Sequence, residues 1–374
     1  MLQYNKKIKT LIDSHPTPTL FLSKEVIKSS YLNLKKALPN VSLYYAVKAN
    51  SHPSIIETLV ELGSNFDVCS NAEIDIVSRL KKPSTQWIHT HPIKVQESIS
   101  YAYKNGIRTF VVDNLSELNK LTELKSEIRI LVRMAVENTN AKIDFSKKFG
   151  VIGETEAINL IRQAHDLGFN NLGLSFHCGS QAIEPEGFNL ALAATKNIIA
   201  VLKISGIQLS TLDIGGGFPN HPSLPDFDIF KYCDQFKSDL EEIHTQGLEL
   251  IAEPGRFIVA NSMILATKVI GKSRRKKKPW YFVDESVYNS FSGQVYDQMQ
   301  YPLWLEELKV GEVLPSVVAG QTCDSLDIIL KEVDLPDLEI GTVLLFKNMG
   351  AYTSASACNF NGFPRTQIVA VDQF

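Results

Sequence analysis

Short apolar runs alternate with amphipathic segments from about residue 40 to residue 255. The runs have the length of strands, and they predict eight of them, at Leu43–Val47, Asn65–Cys69, Trp87–Thr90, Thr109–Val112, Glu127–Met134, Leu172–Phe176, Ser210–Ile214 and Glu249–Ala252. Between the runs, apolar residues recur at helical spacing, as in Ile55–Val60, which Gly63 closes. Eight strands alternating with helices over about 210 residues predict an α/β protein with a (β/α)8 barrel of the TIM type.

The pattern changes after Ile258. Short strand-like runs follow one another there with few helical intervals, at Trp280–Val283, Ser316–Ala319, Gly341–Phe346 and Thr366–Val371. This pattern predicts a mostly antiparallel β domain. We therefore expect a barrel at residues 24–262 and a β-sandwich or β-barrel domain formed by residues 1–23 and 263–374. The basic run Arg274–Lys278 is predicted to be a solvated turn.

Composition narrows the class of protein. With 44% apolar residues among 374, the chain can bury a large core and exceeds one ordinary domain. A net charge of −3 gives no reason to expect nucleic acid or a membrane surface as a partner. No apolar run long enough to span a bilayer and no signal segment is expected. The five cysteines show no paired spacing, so we predict no metal, no disulfide framework and a cytoplasmic protein.

Polar side chains stand at the ends of most of the predicted barrel strands. Because the carboxyl ends of barrel strands meet at one mouth, where such barrels place their active sites, these side chains should converge. Each is weak evidence alone, since a single lysine is usually solvated and a single histidine usually fills a core. Together they predict an active site. The residues are Lys48, Asp67, His89, His91, Arg133, His177, Glu253 and Arg256.

Three successive glycines, Gly215, Gly216 and Gly217, follow the seventh predicted strand. Without Cβ atoms, consecutive backbone N–H groups can point at one anion, although a tight strand-to-helix turn is the plainer explanation. The segment is not GxGxxG and no Walker lysine follows, so a nucleotide fold is not supported. A phosphate site beside a strand-end lysine instead suggests pyridoxal phosphate, which needs Lys48 for a Schiff base and a charged partner such as Glu253 for its ring nitrogen.

Seven ordered motifs carry a family resemblance. Four of them resemble fold-type III pyridoxal-phosphate decarboxylases, whose barrel is like that of alanine racemase: Tyr45–Asn50, Ser175–Ser180, Asp213–Pro219 and Ala252–Arg256. The other three resemble eukaryotic-type ornithine decarboxylases and their bacterial and viral relatives: Thr322–Asp327, Gly350–Thr353 and Phe360–Phe363. The resemblance runs from about Tyr45 to the C-terminus and implies a lyase that decarboxylates an amino acid.

The resemblance implies that the barrel holds pyridoxal phosphate. Lys48 would form the Schiff base, Glu253 would contact the pyridine nitrogen and His177 would stack on the ring. Asp67 would lie near the Schiff base, and Arg133 would orient His177 and Lys48. The residues that would bind the phosphate group are Ser180, Gly215, Gly216, Gly217, Arg256 and Tyr352.

The resemblance also implies a homodimer with shared active sites. Cys323 and Asp324 of one subunit would reach into the site of the other. Cys323 lies in a polar turn, and its thiol could protonate the substrate α-carbon after CO₂ leaves. Tyr288 and Phe360 would line the substrate pocket. The other four cysteines are interpreted as packing residues.

The substrate stays open at this point. Ornithine decarboxylases hold a distal ammonium with two carboxylates, which correspond here to Asp324 and, aligned through Val287 and Tyr288, to Glu285. Because Glu285 stands where the family has aspartate, ornithine, lysine and arginine all stay open. Ornithine or lysine is the first choice, and arginine or an uncommon diamino acid such as a siderophore precursor is the alternative. A diaminopimelate branch is disfavoured, because paired acids would repel its distal carboxylate. Polyamine biosynthesis is the implied pathway.

Two other functions fit the sequence less well. Racemase chemistry on the same barrel calls for two bases, one of them a tyrosine, and the Cys323–Asp324 turn argues against it. A silent regulatory homologue, like the antizyme inhibitors, would have lost cofactor contacts, whereas Lys48, His177 and Glu253 are all present.

Overall fold

The computed structural model describes residues 6–80, 82, 84–138, 140–221, 224, 226–304 and 312–374. The chain divides into two compact units. The barrel unit comprises Lys28–Asn220 and Asp226–Phe257, and the second unit comprises Met1–Ile27, His221–Pro225 and Ile258–Phe374. These bounds differ by a few residues from the predicted 24–262, because the helix Lys24–Ala37 continues across the first bound. Residues 1–5 of the predicted segment 1–23 lie outside the described residues.

The barrel unit contains a closed barrel of eight parallel strands. In chain order they are Val41–Ala46, Asn65–Val68, Trp87–His89, Thr109–Val112, Arg129–Met134, Leu172–Phe176, Thr211–Asp213 and Glu249–Ala252. The eighth strand pairs with the first, with Ile251 opposite Ser42, and this pairing closes the barrel. The predicted fold class is confirmed. A small two-stranded sheet, Ala141–Ile143 with Ser180–Ala182, was not predicted, because strands of three residues are too short to show a periodicity.

Helices follow the strands, as a βα alternation requires. The helices are Pro53–Glu61, Asn71–Ser78, Gln96–Lys104, Leu115–Asn119, Gly153–Asp166, Glu186–Ile204, Ile229–Asp234 and Lys237–Thr245. Ser70 caps the second of these by accepting a hydrogen bond from the Glu73 N–H. Inside the barrel, large apolar side chains from five strands pack into one layer: Tyr44, Ile88, Val111, Leu131 and Ile251. This layer closes the interior, so the chemistry has to lie at a mouth.

One helix, Glu186–Ile204, is long and apolar enough by length and composition to cross a membrane. No such run was expected from the sequence, because polar residues such as Asn189 and Lys196 interrupt the apolar ones, and the core helix of a globular protein can have the same length and composition. Within the barrel unit, Phe188 of this helix stacks on Phe236 with ring centroids 4.8 Å apart and on Phe218 at 5.4 Å. We interpret the segment as a core helix of the barrel unit.

The second unit is built on a seven-stranded sheet. Its strands are Thr19–Ser23, Met263–Arg275, Lys278–Val283, Leu314–Ala319, Ile328–Leu335, Val343–Phe346 and Gln367–Val371. Most pairs are antiparallel, as predicted, but Thr19–Ser23 runs parallel to Gln367–Val371 and Lys278–Val283 runs parallel to Leu314–Ala319. The N-terminal strand thus belongs to this sheet. The basic run forms the hairpin turn between two strands, with positive φ at Lys276 and Lys277.

Short helices complete the second unit: Lys6–Ser14, Arg256–Val259, which begins at the end of the barrel unit, and Gly293–Tyr296. Ile8 of the first helix packs with Phe21, Ile264 and Trp304 in one apolar cluster. The N-terminal helix is therefore held by the core of the sheet.

Replacing Phe188 with alanine is expected to lower the free energy of unfolding by about 3–5 kcal/mol, because the change removes a buried ring. Leu190→Ala on the same helix is the matched control. Its side chain is 58% exposed, and such a surface change should stay within about 0.5 kcal/mol. Urea denaturation followed by circular dichroism measures both. Equal effects would mean that the helix does not pack as a core element.

Candidate active site

Lys48 lies directly after the first barrel strand, in the 3-10 turn Val47–Ala49. Its Nζ is 3.2 Å from Oδ2 of Asp67. The other oxygen of Asp67, Oδ1, accepts a hydrogen bond of 2.6 Å from the Thr90 hydroxyl. The Lys48 side chain is 40% exposed, whereas that of Asp67 is fully buried. The lysine amine therefore faces the mouth of the barrel while a fixed anion holds it in place.

The loop after the eighth strand packs against the Lys48 turn. The Ala46 N–H donates to the Pro254 carbonyl at 3.1 Å. A Cβ added to Gly255 would lie 2.9 Å from the Cβ of Ala49, so the close approach requires glycine. Glu253, one residue before Pro254, is thereby brought to the same mouth as Lys48, although about 200 residues separate them in the sequence.

The glycine loop lies beside Glu253 and His177. Gly215 and Gly217 have φ of +66° and +99°, which favour glycine. A Cβ added to Gly216 would lie 2.6 Å from the Glu253 carbonyl oxygen, and one on Gly217 would lie 2.5 Å from that of Gly179. Any side chain would therefore crowd this loop.

A cation and a hydroxyl complete the predicted anion site. Arg256 donates through Nη2 to the Ser180 hydroxyl at 3.5 Å. A guanidinium, a hydroxyl and a loop free of side chains are the groups that bind a phosphate. Tyr352, the remaining predicted phosphate ligand, belongs to the second unit and has a φ of +55°. Its phosphate contact stays a prediction.

His177 follows the sixth strand and is neutral. Its Nδ1 accepts a hydrogen bond of 3.1 Å from the Gly179 N–H, so that nitrogen carries no proton. Burial, followed by the nearby charges of Arg133 and Lys48, lowers the pKa of His177 well below its usual range. Its ring centroid is 5.1 Å from that of Phe145. A neutral, flat ring at this place fits the predicted stacking role.

The two other histidines predicted at the mouth, His89 and His91, have different surroundings. His89 is buried and stacks on Phe110 with centroids 6.1 Å apart. Both of its ring nitrogens lack a hydrogen-bond partner among the described residues. Burial lowers the pKa of His89 to about 4, so it behaves as a neutral core residue. The ring centroid of His91 lies 5.5 Å from that of Phe149. The Arg133 guanidinium stands over the same Phe149 ring, 5.5 Å from its centroid.

The second unit carries a group of exposed and half-buried side chains, which we call the rim cluster: Tyr288, Cys323, Asp324, Phe360 and Asn361. Tyr288 stacks on Phe360 with centroids 4.1 Å apart, and its hydroxyl donates to Asp324 Oδ2. This hydrogen bond lowers the pKa of Asp324 and raises that of Tyr288 to about 12. Asp324 is therefore an anion at neutral pH.

Asn361 and Asp327 hold the rim cluster in shape, and neither role was predicted. The Asn361 Oδ1 accepts from the Cys323 N–H at 3.3 Å and from its thiol at 3.4 Å. Buried Asp327 accepts from the Val287 N–H at 2.9 Å and from the Thr322 hydroxyl at 2.7 Å. One carboxylate thus ties the turn that carries Tyr288 to the turn that carries Cys323. The Asn-Gly pair at residues 361–362 was the sequence signal for a turn at Asn361, since asparagine tolerates positive φ.

The geometry does not support the prediction that Glu285 binds the substrate. Glu285 is fully buried and accepts hydrogen bonds from four donors. They are the hydroxyls of Ser290 and Thr366 and the N–H groups of Ser286 and Ser290. With four acceptor positions occupied, Glu285 stabilises the turn before Tyr288, and Asp324 is the accessible acid.

The cysteines divide into different environments. Cys178 and Cys233 are buried, which fits their interpretation as packing residues. Cys69 lies near the lysine, with its Sγ 3.8 Å from Asp67 Oδ1. Cys358 is exposed, so its assignment as a packing residue was wrong. Its N–H donates to the Tyr288 carbonyl, which places it beside the rim cluster.

A TIM-type barrel with a strand-end lysine, a side-chain-free anion loop and a buried acid defines the class of pyridoxal-phosphate enzymes of this fold. A family model described as the pyridoxal-binding domain of pyridoxal-dependent decarboxylases matches residues 24–260. The chain belongs to this family. It is an enzyme, and its cofactor is pyridoxal phosphate.

The individual proteins most similar to this chain include decarboxylases of basic amino acids. The chain is 35% identical over 363 residues to the lysine/ornithine decarboxylase of Selenomonas ruminantium, covering 96% of this chain and 90% of that protein. The solved lysine/ornithine decarboxylase of Vibrio vulnificus complexed with cadaverine is 37% identical, with a TM-score of 0.91 and 98% of each chain covered. The arginine decarboxylase of Paramecium bursaria Chlorella virus bound to agmatine has the same TM-score at 28% identity, covering 98% of this chain and 100% of that one.

Alanine at position 217 is expected to weaken the binding of pyridoxal phosphate by about tenfold, or about 1.4 kcal/mol, because the new Cβ collides with the Gly179 carbonyl. Gly247→Ala is the matched control. It imposes a similar backbone strain at φ +92°, with nothing within 4 Å of the new Cβ. Absorbance titration of cofactor-free protein gives both affinities. An equal loss in the two variants would contradict a specific role of the glycine loop.

Proposed function

We propose that this enzyme decarboxylates L-lysine and L-ornithine to cadaverine and putrescine, releasing CO₂. The names of its relatives support this choice, since two lysine/ornithine decarboxylases match at 35% and 37% identity and the arginine decarboxylase matches at 28%. The observation that carries the proposal is the accessible carboxylate of Asp324, kept ionised by Tyr288. An anion at this place suits a distal ammonium.

On the cofactor side, we assign the roles to the residues gathered at the barrel mouth. Lys48 would hold the cofactor covalently, and Asp67 holds and orients the lysine amine. Glu253 would face the ring nitrogen, and the neutral ring of His177 would stack on the cofactor. When bound, pyridoxal phosphate supplies a sink for the electron pair left by CO₂. The proposed phosphate ligands are Ser180, Gly215, Gly216, Gly217, Arg256 and Tyr352, and Arg133 orients His177 and Lys48 through its nearby charge.

On the substrate side, the rim cluster supplies three functions. Asp324 binds the distal ammonium. The stacked rings of Tyr288 and Phe360 offer an apolar wall for the methylene chain of the substrate. The Cys323 thiol, held by Asn361, delivers a proton to the substrate α-carbon after CO₂ has left.

We further propose a homodimer in which the rim cluster of one subunit completes the barrel mouth of its partner. In the single chain, Phe360 is 38% exposed and Leu326, two residues after Asp324, is 76% exposed. Apolar side chains exposed beside candidate catalytic groups are typical of a surface that a partner covers. The enzyme is proposed to act in the cytoplasm, in polyamine production, without nucleic acid or membrane partners.

The substrate assignment is tested by measuring CO₂ release from ornithine, lysine, arginine and diaminobutyrate. We expect turnover of lysine and ornithine, and a rise in KM for both of about 10–100-fold in Asp324→Asn, because a charge-assisted hydrogen bond is lost. Ser325→Ala, at the neighbouring exposed position, should leave KM unchanged. A preference for arginine would contradict the assignment, and no release from any substrate would favour a regulatory homologue.

Shared sites are tested by mixing two inactive variants, Lys48→Ala and Cys323→Ala. Random exchange of subunits should restore about 25% of the wild-type rate, because half of the twofold-symmetric dimers then contain one intact site. Each variant alone is the control. If the mixture stays as inactive as its components although subunits exchange, each site is formed within one chain.

A further inference from the structure

Two buried carboxyl groups meet behind the site assigned to the cofactor ring. Asp213 ends the seventh barrel strand, and Glu253 follows the eighth. The backbone fixes them side by side, since the Ile214 N–H donates to the Ile251 carbonyl at 2.9 Å and the Glu253 N–H donates to the Gly215 carbonyl at 2.7 Å. Asp213 has no exposed surface and Glu253 only 8%. Neither side chain can turn to solvent.

The two side chains form a hydrogen bond that requires a proton. The side chains of Glu253 and Asp213 lie within hydrogen-bonding reach of each other, and since an ionised carboxyl group can only accept, one of the two has to keep its proton. The Oδ1 of Asp213 is occupied by the Gly215 N–H at 2.8 Å. Its Oδ2 is buried and has no other donor among the residues that the structure describes. A proton shared between the two carboxyl groups therefore gives Asp213 Oδ2 its hydrogen-bond partner.

The charges that face the pair agree with a single proton. Lys48 and Arg133 contribute two positive charges, Asp67 contributes one negative charge, and His177 is neutral. A pair with one proton carries one negative charge, so the charges of the pair and of the groups that face it sum to zero. Burial raises the pKa of Asp213 to about 6 and that of Glu253 well above its usual range, which places the proton on Glu253 at neutral pH.

A pyridinium nitrogen would change this preference. An opposite charge in contact favours the ionised form of a carboxyl group, and two adjacent carboxyl groups cannot both ionise in a buried site. An ionised Glu253 thus requires a protonated Asp213. We propose that Asp213 is a positioning residue that shares one proton with Glu253 and takes it over when the cofactor ring faces Glu253. The Glu253 O–H bond breaks and an Asp213 O–H bond forms, so the pair keeps its proton. The inference rests on the proposed contact of Glu253 with the ring nitrogen.

The test is infrared difference spectroscopy on protein grown with aspartate ¹³C-labelled at the side-chain carboxyl. Cofactor-free protein is compared with the same protein after addition of pyridoxal phosphate, whose binding is followed by visible absorbance. We expect the C=O band of an unlabelled protonated carboxyl to disappear and a single isotope-shifted band to appear. That shift reports a proton arriving on an aspartate, which a purely structural role of Asp213 would not produce.

Variants identify the aspartate. Asp213→Asn should abolish the shifted band, and Asp67→Asn, which removes the other buried aspartate of the mouth, should keep it. If Asp213→Asn does not fold, the isotope-shifted band of the unmutated protein still tests whether an aspartate takes up the proton. Cofactor binding without a shifted band would overturn the proton transfer and leave the proposed function intact. Absence of any cofactor absorbance would overturn both.

Discussion

Closure of the barrel through its first and eighth strands is the constraint on which the site depends. The hydrogen bond from the Ala46 N–H to the Pro254 carbonyl, together with the close approach of Gly255 to Ala49, brings the Lys48 turn beside the Glu253 loop. Without this closure the two residues would lie at opposite edges of an open sheet. A barrel converts eight separate strand ends into one ring, so groups from distant parts of the chain face the same volume.

The mouth that results contains many ionisable groups in a largely buried volume, and its charges have to be balanced. An isolated buried charge is costly, whereas here Asp67 is paired with Lys48, and the proton proposed to be shared by Asp213 and Glu253 would leave that pair with a single charge. His177 avoids the cost by remaining neutral. The proposed contacts fit such a site, because Arg256 would face the cofactor phosphate, the Lys48 amine its aldehyde and Glu253 its basic ring nitrogen.

The sequence predicted the barrel and its strand-end residues because both depend on local patterns. Strand periodicity and terminal polar residues can be recognised within a few positions, as with Lys48 and Glu253. Asp327 and Asn361 could not be assigned in this way, since their roles come from hydrogen bonds to turns about 40 residues away. The lack of geometric support for a substrate contact at Glu285 has a related cause. Alignment places a residue in a motif but does not determine where its side chain points, and here four donors turn it inward.

The rim cluster differs from the barrel mouth in how its geometry is fixed. In the barrel, strand pairing positions each group, whereas in the second unit hydrogen bonds from buried Asp327 and from Asn361 position turns that stand in solvent. Such turns need internal support, because side-chain entropy would otherwise disperse them. Because of this support, Asp324 is ionised and the Cys323 thiol is oriented in the single chain. In the proposed dimer, the entropic cost of ordering these groups would be met on folding rather than on association, which would favour binding of the partner.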